Sequence, residues 1–389
     1  MNKFGAVVMS FSWIFMIIVG SFFVIFGYSV VSTYQENEFA KSQLEFRLSL
    51  QSIFKKVGYG KGSETTSLEK VQYIFEDSKI ELLCSEGFPL LSIDGEIDSS
   101  NNYLKNYPFF MTVIEQDRVD ETYIAVEELD LPFYISPLMA LVSQRNVYVF
   151  DREIWENYFE EKFSQTSAFK TLNTRVVDYS DPSTFDALFA DVSKLELSSI
   201  TFITTPERYA YIPKPSSMDS VVDIHLSISF NSQTHRAGRS SYEYTSGEIT
   251  YMNTSYWTSN MSEEYTFNYT DYKDSLTLPT FALFSTPETY ECGATTIDSL
   301  MTSTYNYYIS KAELLVQQVS QSGIDTSNFC SENINQEEVI LRYQNLLDNL
   351  ISMRDYEDRF KNIENLNNLL EELWVSKDAL DTYNCIDVY

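Results

Sequence analysis

The sequence predicts an α+β multi-domain protein. In order, it reads as an N-terminal transmembrane helix with a helical stalk, a small parallel α/β unit, an antiparallel β-module and a C-terminal α-hairpin. Three observations lead to that reading. An uncharged run of 32 residues spans Phe4 to Gln35. Downstream, the hydrophobic pattern changes from alternating strand and helix runs to a period of two, and then to a period of three and four. The 389 residues, 44% hydrophobic and 15% aromatic, also exceed the length (about 250–300 residues) at which a single core stops growing.

The uncharged run, residues 1–35 with its flank, is long enough to cross a bilayer, for which about 20 apolar residues suffice. A helix satisfies its own backbone there. Lys3 precedes the run while Glu36 and Glu38 follow it, so the positive-inside rule puts the N-terminus in the cytoplasm and the bulk of the chain outside. A cleaved secretory signal would need a shorter apolar core and a small-residue cleavage site, whereas this run ends in Val30-Val31-Ser32-Thr33-Tyr34. Residues 36–57 hold no Gly or Pro and set Phe39, Leu44, Leu48, Ile53 and Phe54 among charges, which predicts a juxtamembrane helical stalk. Gly58-Tyr59-Gly60-Lys61-Gly62 ends it.

Residues 68–211 read as a mixed α/β domain. Ile80-Glu81-Leu82-Leu83-Cys84 and Thr122-Tyr123-Ile124-Ala125-Val126 are extended, and Pro137-Leu138-Met139-Ala140-Leu141 reads as an apolar turn of helix. Strand Asn146–Phe150, a helix carrying Ile154, Trp155, Phe159 and Phe163, strand Arg175–Asp178, a helix begun by Asp181-Pro182, and strand Ser199–Thr204 then give a parallel α/β unit. Past the Pro-containing segment 212–217, Val222, Ile224, Leu226, Ile228 and Phe230 alternate with polar residues, so 212–290 reads as an antiparallel β-module. From Thr304 two helical stripes, Tyr308–Val319 and Val339–Leu373, predict a helical hairpin within 291–389.

Chemistry is constrained mainly by absence. With 27 Lys+Arg against 56 Asp+Glu the net charge is −29, and a field of that sign repels a polyanion, so nucleic acid is excluded as a partner. No glycine falls between Gly95 and Gly238, so the α/β unit has no phosphate-cradling loop and no cofactor is expected. Asp151, Asp178 and Asp181 fall at the carboxyl ends of the strands, where three carboxylates could hold Mg²⁺ or Ca²⁺ or could cap helices and meet solvent. His225, on the polar face of its strand, and His235 read as surface residues without a nucleophile beside them. Tyr242, Tyr244, Tyr251, Tyr256, Trp257, Tyr265 and Tyr269 could stack on sugars or form cross-strand pairs in an exposed sheet. No constellation points to an enzyme.

Cys84, Cys292, Cys330 and Cys385 all follow the apolar run, are even in number and form no CxxC pair, so they read as two disulfides. Three connectivities are open. Cys292 with Cys385 is favoured because the helices between them could return the chain. Asn253, Asn260 and Asn268 head three glycosylation sequons within 18 residues, or fall there because the stretch is rich in Thr and Asn.

The start Ser12-Trp13-Ile14-Phe15-Met16-Ile17-Ile18-Val19-Gly20-Ser21-Phe22-Phe23 resembles that of uncharacterised archaeal single-pass membrane-anchored surface proteins with type IV pilin-like N-termini. Ile80–Cys84, Leu131-Pro132-Phe133-Tyr134-Ile135 and a helical end closing on Cys385 fit the same pattern. Asn2-Lys3-Phe4-Gly5-Ala6 departs from a prepilin cleavage site, and no Glu lies early in the apolar run. The resemblance implies an envelope protein and supplies no activity. The expected function is therefore a membrane-anchored extracytoplasmic surface protein with a structural or adhesive role, as an envelope component or minor pilin-like subunit. Its partners would be the membrane, through the N-terminal helix, together with further copies of itself or other envelope proteins. The alternative is a tethered monomeric receptor for a glycan, peptide or ion.

Overall fold

The computed structural model describes residues 19, 21–34, 41, 48, 52, 67–72, 78–85, 88–93, 96–97, 107–112, 114–116, 121–131, 134–165, 169–181, 183–195, 197, 199–206, 221–237, 240–252, 264–272, 276–321, 326–330, 334–356 and 363–386. Residues 21–34 are helical. Among the described residues no helix is long and apolar enough to cross a membrane, and most of the expected span lies outside them. The stalk expected over 36–57 also lies outside, except for Lys41, Leu48 and Ser52, which are helical. The segment 212–217 lies outside as well.

The rest of the described chain is α+β and holds three sheets. One has the order β1 (Ser67–Gln72), β7 (Glu121–Asp130), β8 (Tyr134–Ser143), β5 (Phe109–Met111). A smaller one runs β4 (Glu96–Ile97), β3 (Phe88–Ile93), β2 (Ser78–Ser85), β6 (Ile114–Gln116). The seven-stranded central sheet runs β10 (Asn173–Val177), β9 (Asn146–Asp151), β11 (Ser199–Thr204), β12 (Val222–Ile228), β14 (Ser240–Met252), β13 (Asn231–Ala237), with β15 (Glu264–Tyr272) also paired to β14.

β8 corrects the turn of helix expected at Pro137–Leu141: Ile135 through Val142 are all buried, in a strand paired with β7 and β5. A short apolar run suits a doubly covered strand as well as a helix, and Pro137, opposite Glu128, sits close to the irregularity at Leu129/Asp130 on β7.

The α/β unit forms as read. β9, β10, β11 and β12 are mutually parallel. Helix α1 follows β9 as Arg152–Ile154, a π-helical turn Trp155–Phe159 and Glu160–Gln165. Helix α2 (Ser183–Val192) follows β10. The pleat of β9 explains why both are needed. Tyr148 and Phe150 point into the core that holds Ile154, Phe159 and Phe163 of α1, whereas Val147 and Val149 pack with Phe185, Leu188, Phe189 and Val192 of α2.

The boundary expected at residue 212 does not divide the sheet. β12 pairs parallel to β11 on one side and antiparallel to β14 on the other. The 13 residues of β14 serve β12 at one end and β13 at the other. At the changeover Gly247 faces Ser229, and a Cβ built there would lie 2.0 Å from the Ser229 carbonyl oxygen.

The C-terminal region is helical and hairpin-like as expected, with a third long helix added to the expected pair. Helix α3 (Thr277–Leu283) is buried on every residue. α4 (Pro287–Val319) starts well before the expected Thr304, fixed by Pro287 at its first turn and by a capping box in which Thr289 N–H donates to Thr286 Oγ1 and Thr286 N–H to Thr289 Oγ1. α5 (Gln336–Asp355) is capped by Asn335, which accepts from Glu338 N–H at 2.8 Å. α6 (Ile363–Asp381) follows as a separate helix packed on α5, so the long stripe Val339–Leu373 spans two helices. One hydrophobic core runs from Phe110 through Tyr148, Tyr244 and Phe281 to Leu380.

Candidate functional site

The cysteines form Cys84–Cys292 and Cys330–Cys385, and none is free. This corrects the favoured Cys292–Cys385 pairing. Cys292 lies in the first turns of a helix that packs on β2 and β3, which brings it to Cys84, while the chain returns to Cys330 through α5 and α6. Cys330 and Cys385 form an isolated antiparallel bridge, extended by Ile386 N–H donating to Phe329 O at 2.6 Å and Tyr343 Oη–H to Ile386 O at 2.9 Å. Two disulfides with no free thiol fit an oxidising or extracellular environment.

The three carboxylates at the strand ends are separately occupied. Asp178 Oδ1 accepts from Ser180 N–H at 3.0 Å and from the Ser180 hydroxyl. Asp181 Oδ1 accepts from Ser183 N–H at 3.0 Å and Ser183 Oγ–H at 2.8 Å, which caps α2. Asp151 is buried at the N-cap of α1 without a side-chain capping bond. Among the described residues no group of three His, Cys, Asp or Glu side chains could hold a metal ion. Asp151, Asp178 and Asp181 are thus structural at two of three positions and are not a described metal centre.

Asn253 and Asn260 lie outside the described residues. Asn268 is only 9% exposed in the middle of β15, opposite Glu248, and Thr270 donates to Asn367 Oδ1 at 3.0 Å. Asn268 is therefore buried in the folded chain. His225 is also buried, stacked on Phe202 at 4.8 Å, because α2 covers the face that alternation marked as polar. His235 lies in β13 opposite Tyr242. Of the aromatic stretch, Tyr244, Tyr251 and Tyr269 belong to the core, so they are unavailable to a sugar. Tyr251 Oη lies 3.0 Å from Ala282 O, to which it donates, and 3.0 Å from Ser285 Oγ; Tyr269 Oη–H donates to Ser229 O at 2.9 Å.

Beside Tyr269 lies the least usual chemistry of the fold, a set of buried ionisable groups. Lys162 on α1 donates from Nζ to Glu127 Oε2 on β7 at 2.9 Å, with side chains 13% and 8% exposed. Asp271, wholly buried near the end of β15, accepts from Leu278 N–H at 3.0 Å through Oδ2, while its Oδ1 has no hydrogen-bond partner. Burial pushes the Asp271 carboxyl up to about 7, against the opposing pull of the Lys162 ammonium and the Leu278 N–H, and Glu127 adds to the rise. Burial, the leading cause of the rise, thus favours a neutral Asp271. Burial first, and neighbouring Tyr251, Asp271 and Tyr269 next, hold the Tyr290 hydroxyl well above its usual range.

Sequence reasoning missed this group because its members are far apart in the chain. The available signal was a charge on an apolar face: Phe267, Tyr269 and Asp271 share one face of β15, as Ala125, Glu127 and Leu129 share one face of β7. No known protein family, curated protein or solved structure matches this chain.

Proposed function

We propose that the protein is a membrane-anchored extracytoplasmic surface protein with a structural or adhesive role, carried by its N-terminal helix. The observation behind this reading is the surface of residues 21–34. Phe22, Phe23, Val24, Ile25 and Phe26 are consecutive and 59–72% exposed. Five residues pass more than once around a helix, so the apolar surface is a full collar rather than a stripe. A helix docked on its own domain would bury one face; a collar needs an apolar medium or other helices around it. The two disulfides support placing the remainder of the chain in an oxidising compartment.

The test is fractionation of the full chain beside a version beginning at residue 36. The full chain should stay in the membrane pellet after alkaline carbonate extraction, with its disulfide-bonded portion open to added protease from outside the cell. The shortened chain should be released as a soluble protein. Release of both would sink the anchor. Electron microscopy of the full chain in detergent then separates the roles. Filaments or a lattice favour an envelope or pilin-like subunit, and discrete particles favour a tethered receptor.

A further inference from the structure

We propose that β9 and β11 build a small internal hydration site, in which ordered water is held between Asn146, Tyr148, Ser199 and Thr201. The inference does not depend on the membrane reading. It rests on four polar side chains that the sheet register brings together inside the core. Asn146 is 1% exposed and the other three are wholly buried. Yet Asn146 Oδ1, Tyr148 Oη, Ser199 Oγ and Thr201 Oγ1 have no hydrogen-bond partner among the described residues.

The register places them. β11 runs parallel to β9, with Ser199 opposite Asn146 and Thr201 opposite Tyr148. Residues two apart share a face of a strand, so all four side chains leave the sheet on the side that carries Phe150 and Ile203. The Asn146 amide donates from Nδ2 to Thr112 Oγ1 at 2.8 Å, which leaves its carbonyl oxygen as the open acceptor. Burial pushes the Tyr148 hydroxyl up and the Asn146 side chain pulls it back, as expected for two groups that face each other. Phe284 holds the Tyr148 ring edge-on at 5.5 Å.

The chemistry selects water. None of the four groups is charged, so they offer nothing to balance an ion in a dry core. Three hydroxyls that can donate or accept, and one amide oxygen that accepts, match the mixed needs of a water molecule. Neighbouring strands lie about 4.8 Å apart, too far for a direct bond between groups held at that spacing. A water about 2.8 Å from each spans such a gap. Left dry, every one of these atoms would carry its full desolvation penalty. The site is also a joint between elements. Asn146 reaches Thr112, and the preceding Met111 O accepts from Thr289 Oγ1 in the first turn of α4 at 2.8 Å. The water thus lies where the central sheet meets the end of β5 and the start of α4.

Radiolytic labelling of the full chain in detergent, read by mass spectrometry, tests the site. Hydroxyl radicals made from a bound water oxidise the side chain beside it even where bulk solvent has no access. Tyr148 should therefore be labelled. Tyr305, equally buried but with its hydroxyl donating to Leu131 O at 3.1 Å, should stay protected. Ser199→Ala combined with Thr201→Val removes two of the four groups and should lower the labelling of Tyr148 several-fold. Thr201→Val alone should lower the melting midpoint, because it leaves the water a partner short. At a dry site the same change would raise the midpoint, since an isosteric methyl relieves an orphaned hydroxyl. Protection of wild-type Tyr148 equal to that of Tyr305, labelling undiminished in the double variant, or a Thr201→Val chain that melts higher than wild type would each overturn the proposal. The wild-type labelling stands even if a variant fails to fold.

Discussion

Single atoms decide several features of this fold. Gly247 is needed where β14 changes partners, because Ser229 N–H donates to Glu248 O at 2.9 Å and Glu248 N–H to Ser229 Oγ at 2.8 Å, pulling the two backbones together. Gly293 is needed where α4 crosses β5, since a Cβ there would fall 2.3 Å from Cε1 of Phe110. Gly247→Ala and Gly293→Ala should each destabilise by about 1–3 kcal/mol or more, read from chemical denaturation midpoints, as overpacking of a filled core does. Gly247→Ala should be the worse, because it meets backbone rather than a ring that can tilt. Equal and negligible effects would mean that neither approach is as close as described.

Asp271 gives a prediction of a different kind. Its carboxyl is raised from 3.8 to about 7 in the fold, so it contributes stability that is fully present below the unfolded value and is lost as pH rises through the folded one. Each unit is worth about 1.4 kcal/mol, giving a slope of a few kcal/mol across the window. The melting midpoint of the wild type should therefore fall steadily between about pH 4 and pH 8, and Lys162→Met, which removes the neighbouring cation that opposes the rise, should carry the fall to higher pH. A flat profile for Lys162→Met would show that Asp271 does not titrate in this range.

Whole elements were legible in the sequence where one local rule settled them. The strands β9, β10 and β11 and the helices between them follow from apolar runs set at strand and helix lengths, with Asp181 marking the start of α2. The start of α4 was equally local, in Thr286-Pro287-Glu288-Thr289, but Thr at the third helical position is a weaker capping signal than Glu or Gln. Thr286→Ala should cost about 1 kcal/mol at that end, measurable as faster amide exchange in the first turn of α4. Other elements depended on what covers them. Ile135–Val142 is a strand because β7 and β5 flank it, and His225 is buried because α2 lies over it; neither neighbour can be read from the segment itself. The period of three and four across Val339–Leu373 survived the break between α5 and α6 because both helices turn their stripes to the same core.

At the scale of the molecule, length predicts several folded units, yet one core cluster joins residues from Phe110 to Leu380. β12 is the reason. It lies beyond the proline-containing segment that looks like a linker, but its backbone completes the parallel sheet on one side and begins the antiparallel part on the other. Thr270 on β15 donating to Asn367 on α6, and Tyr305 on α4 donating to Leu131 O at 3.1 Å, tie the remaining parts through buried hydrogen bonds. The disulfides span the same divisions, with sequence separations of 208 for Cys84–Cys292 and 55 for Cys330–Cys385. Loops of those lengths correspond to about 5 and about 4 kcal/mol of unfolded-state entropy in the simple chain model. A fragment from residue 213 onward would lose β11 from the edge of β12 and β9 beyond it, remove Phe202 from His225, and leave α4 without its bond to Cys84. Such a fragment should therefore fail to fold alone, giving no protected amides and no cooperative melt. The chain from residue 36 should unfold in a single calorimetric transition that moves to lower temperature as a whole when the disulfides are reduced. Two separable transitions, or a folded fragment from residue 213, would restore the division at that point and make the shared sheet a contact between independent domains.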